Sequence, residues 1–154
     1  MENGKKISVQ HVNGWWKDTG KPDDLLEANQ LILDDLEPLF CGIAEPSCQI
    51  SGKVSVGRNS VIKSNTRIRG PAIIGEGCEI GPNVYVGPYT SIGDNAKILS
   101  GEIEGSIIMQ NAYIDCNKRI VDSIIGKNSR LESGHNNVPS GLRFVLGEST
   151  LCRL

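Results

Sequence analysis

At 154 residues, with 18 glycines, 5% aromatic and 38% hydrophobic residues, the chain is long enough for one domain but has too few bulky side chains for a conventional layered core. A thin, repetitive interior suits this composition better. The net charge of −2 and the scatter of the basic residues exclude an electrostatic footprint for nucleic acid and a polybasic membrane face. No apolar run approaches the roughly 20 residues that span a bilayer, and no basic-then-apolar leader opens the chain. The five cysteines, Cys41, Cys48, Cys78, Cys116 and Cys152, are odd in number and form no CxxC pair. Neither a zinc site nor a complete disulfide framework is expected, and the thiols read as reduced in a soluble, cytoplasmic protein.

In chain order, Lys6 to Val12 alternates enough to form a strand. Gly14-Trp-Trp-Lys-Asp18-Thr-Gly20 follows. Read from spacing, Asp18 is an acid at a strand-to-helix turn, bonded to nearby amides, and Trp15 and Trp16 anchor the strand to the helix. Pro22 suits a first helical turn, where Asp23 and Asp24 complement the dipole. Leu25, Ala28, Asn29, Ile32, Leu33 and Leu36 then recur at helical spacing. They predict one amphipathic helix whose apolar stripe packs on the flank of the following unit or on another subunit. The chain thus divides into residues 1–40 and a repeat unit over 41–154.

Every sixth residue from Ile50 is aliphatic: Val56, Ile62, Ile68, Ile74, Ile80, Val86, Ile92 and Ile98. The position four after each is small or short-branched, from Val54 through Ser60, Thr66, Ala72, Cys78, Val84 and Thr90 to Ala96. Glycine follows the aliphatic at Gly57, Gly75, Gly81, Gly87 and Gly93. Asn59, Asn65, Gly77, Asn83 and Asn95 hold the third position after it. Asn and Gly tolerate a left-handed backbone at least cost, as a sharp corner requires. Each hexad therefore supplies a short strand and a corner, and stacked coils bury a column of Ile and Val. The fold class is mainly β, a parallel β-helix from about Cys48 to Leu131 preceded by a strand and one helix. Ile74, Ile80, Val86 and Ile92 should be deeply buried.

After Ile98 the register breaks, resumes at Ile108, Ile114 and Ile120 with Asn111 and Asn117 at the corner position, then slips again before Ile125 and Leu131. Such breaks read as loops projecting from a corner, either tolerated insertions or places for a site. The tail from Gly141 alternates Leu142, Phe144 and Leu146 and should cap the open end. Of the two histidines, His11 lies in the first strand and His135 in a polar loop near the second slip. As a loop residue His135 is ordinarily solvated; as a catalyst it would be the general base of a hexapeptide acyltransferase acting on acetyl-CoA.

The stretch Gly14-Trp-Trp-Lys-Asp18-Thr-Gly-Lys-Pro-Asp-Asp-Leu-Leu-Glu-Ala-Asn29, followed by hexads, resembles the end of the catalytic domain of sugar-1-phosphate nucleotidylyltransferases. It is most similar to long-form glucose-1-phosphate thymidylyltransferases, and the resemblance extends over nearly the whole chain. It implies that the β-helix is left-handed, that residues 1–40 end the catalytic domain, and that prisms assemble side by side, most often as trimers. It also implies a reaction in which a sugar 1-phosphate attacks the α-phosphorus of a nucleoside triphosphate and pyrophosphate leaves, with Mg²⁺ neutralising charge. By the same resemblance Asp18 would be a Mg²⁺ ligand, Gly20 would allow close backbone approach and Trp16 would pack beneath the site. The glycine-rich nucleotide loop, the second metal carboxylate and the sugar-phosphate lysines would precede Met1. The chain is therefore expected to be the carboxy-terminal part of such an enzyme, without transfer activity alone, its β-helix serving either assembly or regulation through an allosteric nucleotide-sugar site.

Overall fold

The computed structural model describes residues 20–133 and the backbone of residues 142–145. The strand expected over Lys6 to Val12 lies outside the described residues. From Ile43 the chain winds into a parallel β-solenoid with three faces. On the first face Val61 lies opposite Ile43 and Glu79 opposite Val61, so one coil takes eighteen residues, or three hexads. The second face stacks Gln49–Ser51, Arg67–Arg69 and Tyr85–Val86. The third is a five-stranded sheet running from Val54–Val56 through Ala72–Ile74, Thr90–Ile92 and Ile107–Ile108 to Ile124–Ile125.

The two sequence series meet in the interior. Ile62, Ile68, Ile74, Ile80, Val86, Ile92 and Ile98 are all 2% exposed or less, and Ser60, Thr66, Ala72, Cys78, Val84, Thr90 and Ala96 are buried beside them. A polar residue is tolerated here only with partners. Ser60 meets that need by bridging coils: its Oγ donates to the Gly75 carbonyl at 2.7 Å and accepts from the Cys78 N–H at 2.9 Å. The corner position is left-handed as expected, with φ of 57–59° at Asn59, Asn65, Asn83, Asn95, Asn111 and Asn128. Tyr89 takes the same position with φ 58°, at a steric cost of about 1–2 kcal/mol for a bulky residue.

The register breaks are not projecting loops. Lys97–Glu104 and Tyr113–Val121 are continuous strands that run from the first face round the corner onto the second. Ile98 to Ile103, Ile103 to Ile108 and Ile120 to Ile125 are steps of five rather than six, so residues have been removed from the coil and none added. Ile103, fully buried, takes the aliphatic place in the column. At the tightened corner Gly101 has φ 111°, and a Cβ there would lie 2.5 Å from the Cys116 carbonyl oxygen. Asn117 falls inside the long strand and does not take the positive φ expected of it. At the far end Leu142–Val145 pairs antiparallel with Arg130–Ser133, covering that strand edge as a cap should.

The helix spans Pro22–Asp34. Pro22 occupies its first turn, and the Lys21 N–H donates to the Asp24 carboxylate at 3.1 Å. It docks on the third face of the solenoid through polar contacts. Asn29 Nδ2 donates to the Tyr89 carbonyl at 2.9 Å, and Ser91 Oγ donates to Asn29 Oδ1. The Tyr89 hydroxyl donates to Asp34 Oδ1 at 3.0 Å. Asp34 and Asp35 sit at the negative end of the helix dipole, and Lys53 Nζ answers by donating to the Asp34 carbonyl at 2.6 Å. Ala28 and Leu33 are buried, whereas Ile32 is 59% exposed, so only part of the predicted stripe is covered.

Replacing Ile80 by Asp places an unpaired carboxylate in the apolar column, and the variant should lose cooperative thermal unfolding by circular dichroism. Ile80→Val should keep it at a cost of about 1 kcal/mol. Asn29→Ala should loosen the helix by about 1–2 kcal/mol. Hydrogen exchange should then speed up over Pro22–Asp34 but not over Ala72–Ile74; an equal rise in both would contradict the docking role.

Candidate functional site

Gly20 is exposed at the entry to the helix. Trp16, Asp18 and His135 lie outside the described residues, as does His11. Among the described residues no three Asp, Glu, His or Cys side chains are grouped so that they could hold a metal ion. No helix of the described residues is long and apolar enough to cross a membrane. Cys41, Cys48, Cys78 and Cys116 are free thiols. Burial pushes the Cys78 and Cys116 thiols up from their ordinary value, which keeps them protonated and poor nucleophiles.

Outward positions on the first face form a ladder of charge. Lys63 is paired with Glu79, and Lys97 approaches the other carboxylate oxygen at 3.6 Å. The hydrogen bond from Lys63 holds the Glu79 carboxyl below the usual range, with the charge of Lys97 acting in the same direction. Further along, the Arg130 guanidinium lies 4.2 Å over the Tyr113 ring, its register neighbour on the preceding coil. These groups satisfy one another and read as struts between coils.

The second face is different. Gln49, Arg67, Tyr85, Glu102 and Arg119 stand in register on five successive strands. With Arg69 they line an open depression of about 630 Å³. Arg67 Nε donates to Gln49 Oε1 at 3.0 Å, so its guanidinium is drawn toward Gln49. Arg119 is tied to Glu104 at 2.7 Å. Arg69 is exposed and makes no ion pair or hydrogen bond within the described residues. Val84 is buried at the floor of the depression. Sequence reasoning picked out Val84 as an inward position of the repeat and singled out none of the outward residues. Their signal is an eighteen-residue interval, 49 to 67 to 85, which shortens at Glu102 and Arg119 where the coils contract.

Coils of three hexads, with a stacked aliphatic column and Asn corners, define a hexapeptide-repeat β-solenoid. The family model described as the GMPPB C-terminal domain matches residues 68–150, just over half of the chain, and the chain belongs to that family. It is 41% identical over 148 residues to a glucose-1-phosphate thymidylyltransferase of Streptomyces antibioticus, covering 96% of this chain and 41% of that protein. It is 38% identical over 154 residues to the low-salt glycan biosynthesis nucleotidyltransferase Agl11 of Haloferax volcanii, covering 100% of this chain and 43% of that protein. A bifunctional sugar-1-phosphate nucleotidylyltransferase/acetyltransferase of Sulfurisphaera tokodaii is 36% identical over 148 residues, with 94% of this chain and 36% of that protein covered. The chain corresponds to the C-terminal β-helix region of sugar-1-phosphate nucleotidylyltransferases, and spans about two fifths of the length of the first of these relatives.

Because the Glu79 carboxyl is held low in the folded state, its contribution is complete above the ordinary glutamate range, about 4.3, and is lost as pH falls through the depressed value. Glu79→Gln should therefore lower the Tm at neutral pH, by no more than about 1 kcal/mol of stability given its partial exposure. The gap from the parent should close on acidification below the glutamate range. A gap that stays constant in a pH series of thermal melts would show that the carboxylate charge is not what binds the two coils.

Proposed function

We propose that this chain is the assembly module of a sugar-1-phosphate nucleotidylyltransferase that joins glucose 1-phosphate to dTTP. In the intact enzyme a sugar phosphate oxygen attacks the α-phosphorus, the bond to the bridging oxygen breaks, and pyrophosphate departs. Bound Mg²⁺ would neutralise the phosphate oxygens there. Residues 1–40 would continue the catalytic domain, with Asp18 as a metal ligand and Trp16 and Gly20 beside the substrate. The observation that carries this reading is the 41% identity to a glucose-1-phosphate thymidylyltransferase over 96% of the chain. Four free thiols also suit a reducing, cytoplasmic compartment.

The solenoid supports the assembly role. Leu31, Ile32, Leu39, Phe40 and Ile43 are between 43% and 63% exposed around the helix end and the first coil, and apolar groups so placed are characteristic of contact surfaces. A second reading, acyl transfer from acetyl-CoA with His135 as base, is favoured by the relative whose name joins nucleotidylyltransferase and acetyltransferase.

Light scattering of the native chain should give a trimer, three times the 16.6 kDa chain mass, unchanged by acetyl-CoA. A monomer would sink the assembly role. A rise in Tm with acetyl-CoA that is lost in His135→Ala would replace the first reading by the second.

A further inference from the structure

We infer that the second face of the solenoid binds a nucleoside phosphate, with the phosphates on Arg67 and Arg69 and the base on Tyr85. This site is built entirely within the solenoid and does not depend on residues 1–40 or on His135.

The geometry sets out three kinds of recognition in order along the stack. Arg67 and Arg69 both point outward from one strand, with the buried Ile68 between them. Two guanidinium groups on alternate residues present donors that suit phosphate oxygens, and Arg69 has no partner among the described residues to give up. One coil on, in register with Arg67, is the half-buried ring of Tyr85. One coil further is the exposed carboxylate of Glu102. Two coil steps span about 10 Å, a length that a nucleoside diphosphate fills.

The contrast with the first face shows why Tyr85 is available. There the neighbouring Arg130 lies over the Tyr113 ring and closes it. On the second face the corresponding arginine is bonded to Gln49, on the side away from Tyr85. Among the described residues no cation lies over the Tyr85 ring. An aromatic plate left open beside two outward guanidinium groups, one of them held by Gln49 through its Nε alone, is an arrangement that stacks a base while holding its phosphates.

Glu102 selects within this chemistry. A carboxylate repels a bare anion, but it accepts hydrogen bonds from sugar hydroxyls. Its place beyond Tyr85, away from the two arginines, puts it at the uncharged end of the ligand. Inorganic phosphate or pyrophosphate satisfies the arginines alone; a nucleoside phosphate uses all three groups.

Titration calorimetry of the whole chain with ADP, inorganic pyrophosphate and adenosine tests this. ADP should bind saturably and at least about ten-fold more tightly than pyrophosphate or adenosine. The double change Arg67→Ala with Arg69→Ala should weaken ADP about ten-fold or more, and Tyr85→Ala should bring ADP down to the affinity of pyrophosphate. All three side chains are on the surface, so circular dichroism should be unchanged, and Arg58→Ala at an exposed corner should bind as the parent does. Absence of saturable ADP binding, ADP affinity indifferent to the double arginine change, or pyrophosphate binding as tight as ADP would each overturn the proposal.

Discussion

The structure depends on one constraint: each coil is hydrogen bonded to the next through its backbone, so successive coils must carry the same groups at the same heights. Gly57 N–H reaches the Ile74 carbonyl at 2.8 Å, Gly75 that of Ile92 at 2.7 Å and Gly93 that of Ile108 at 2.7 Å. At these positions the coils approach so closely that a Cβ on Gly57 would lie 2.6 Å from the Gly75 carbonyl oxygen. The glycine that follows the aliphatic is therefore needed for space. The Asn three places after the aliphatic is needed for a backbone angle. Both requirements recur because the ladder of hydrogen bonds repeats them, and a misfit at one level is passed to its neighbours.

This constraint explains which parts of the fold were legible in the sequence. The stretch from Ile50 to Ile98 repeats without a gap, and in the sixth-residue series every aliphatic from Val56 onward is buried, Ile50 at its start being 37% exposed. The start was set too late because the first coil places Ala44 where later coils have Ile62 and Ile80. Ala44 pairs correctly but carries no hexad signal, and the pairing of Phe40 with Val56 precedes it. The contracted coils are hidden in the sequence for a related reason. A spacing of five looks like a lost register, and sequence alone does not say whether a residue was removed or a loop added. Ile103 settles it by filling the column, and Gly101 permits the tighter corner. Asn117 has the spacing of a corner residue, yet the strand Tyr113–Val121 continues through it.

The candidate site was much less legible. Inward positions are fixed by volume and burial, and so announce themselves through repetition. Outward positions face solvent and are free to vary, so Gln49, Arg67, Tyr85, Glu102 and Arg119 share no residue type, only a height in the stack. They emerge as a set only after coil length is known, including the places where eighteen becomes seventeen or sixteen. The same holds for the helix contacts. Nothing in the spacing of Asn29 or Tyr89 marks them as partners sixty residues apart, and Asn29 was assigned to an apolar stripe although its amide bridges two residues of the solenoid.

Tyr89 shows how the outer surface and the repeat influence each other. The corner position selects Asn or Gly, and a tyrosine there carries strain that neither its own coil nor the apolar column requires. What it gains lies outside the coil: its carbonyl accepts from Asn29 and its hydroxyl donates to Asp34, at two points about one and a half helical turns apart. The Asp34 contact raises the Tyr89 phenol above its ordinary value, so the ring remains a donor across the whole physiological range. The helix is therefore oriented by the repeat at the cost of one unfavourable corner. A rigid stack gives such an attachment a fixed position and direction, because the coil that carries Tyr89 is itself held by the coils on either side.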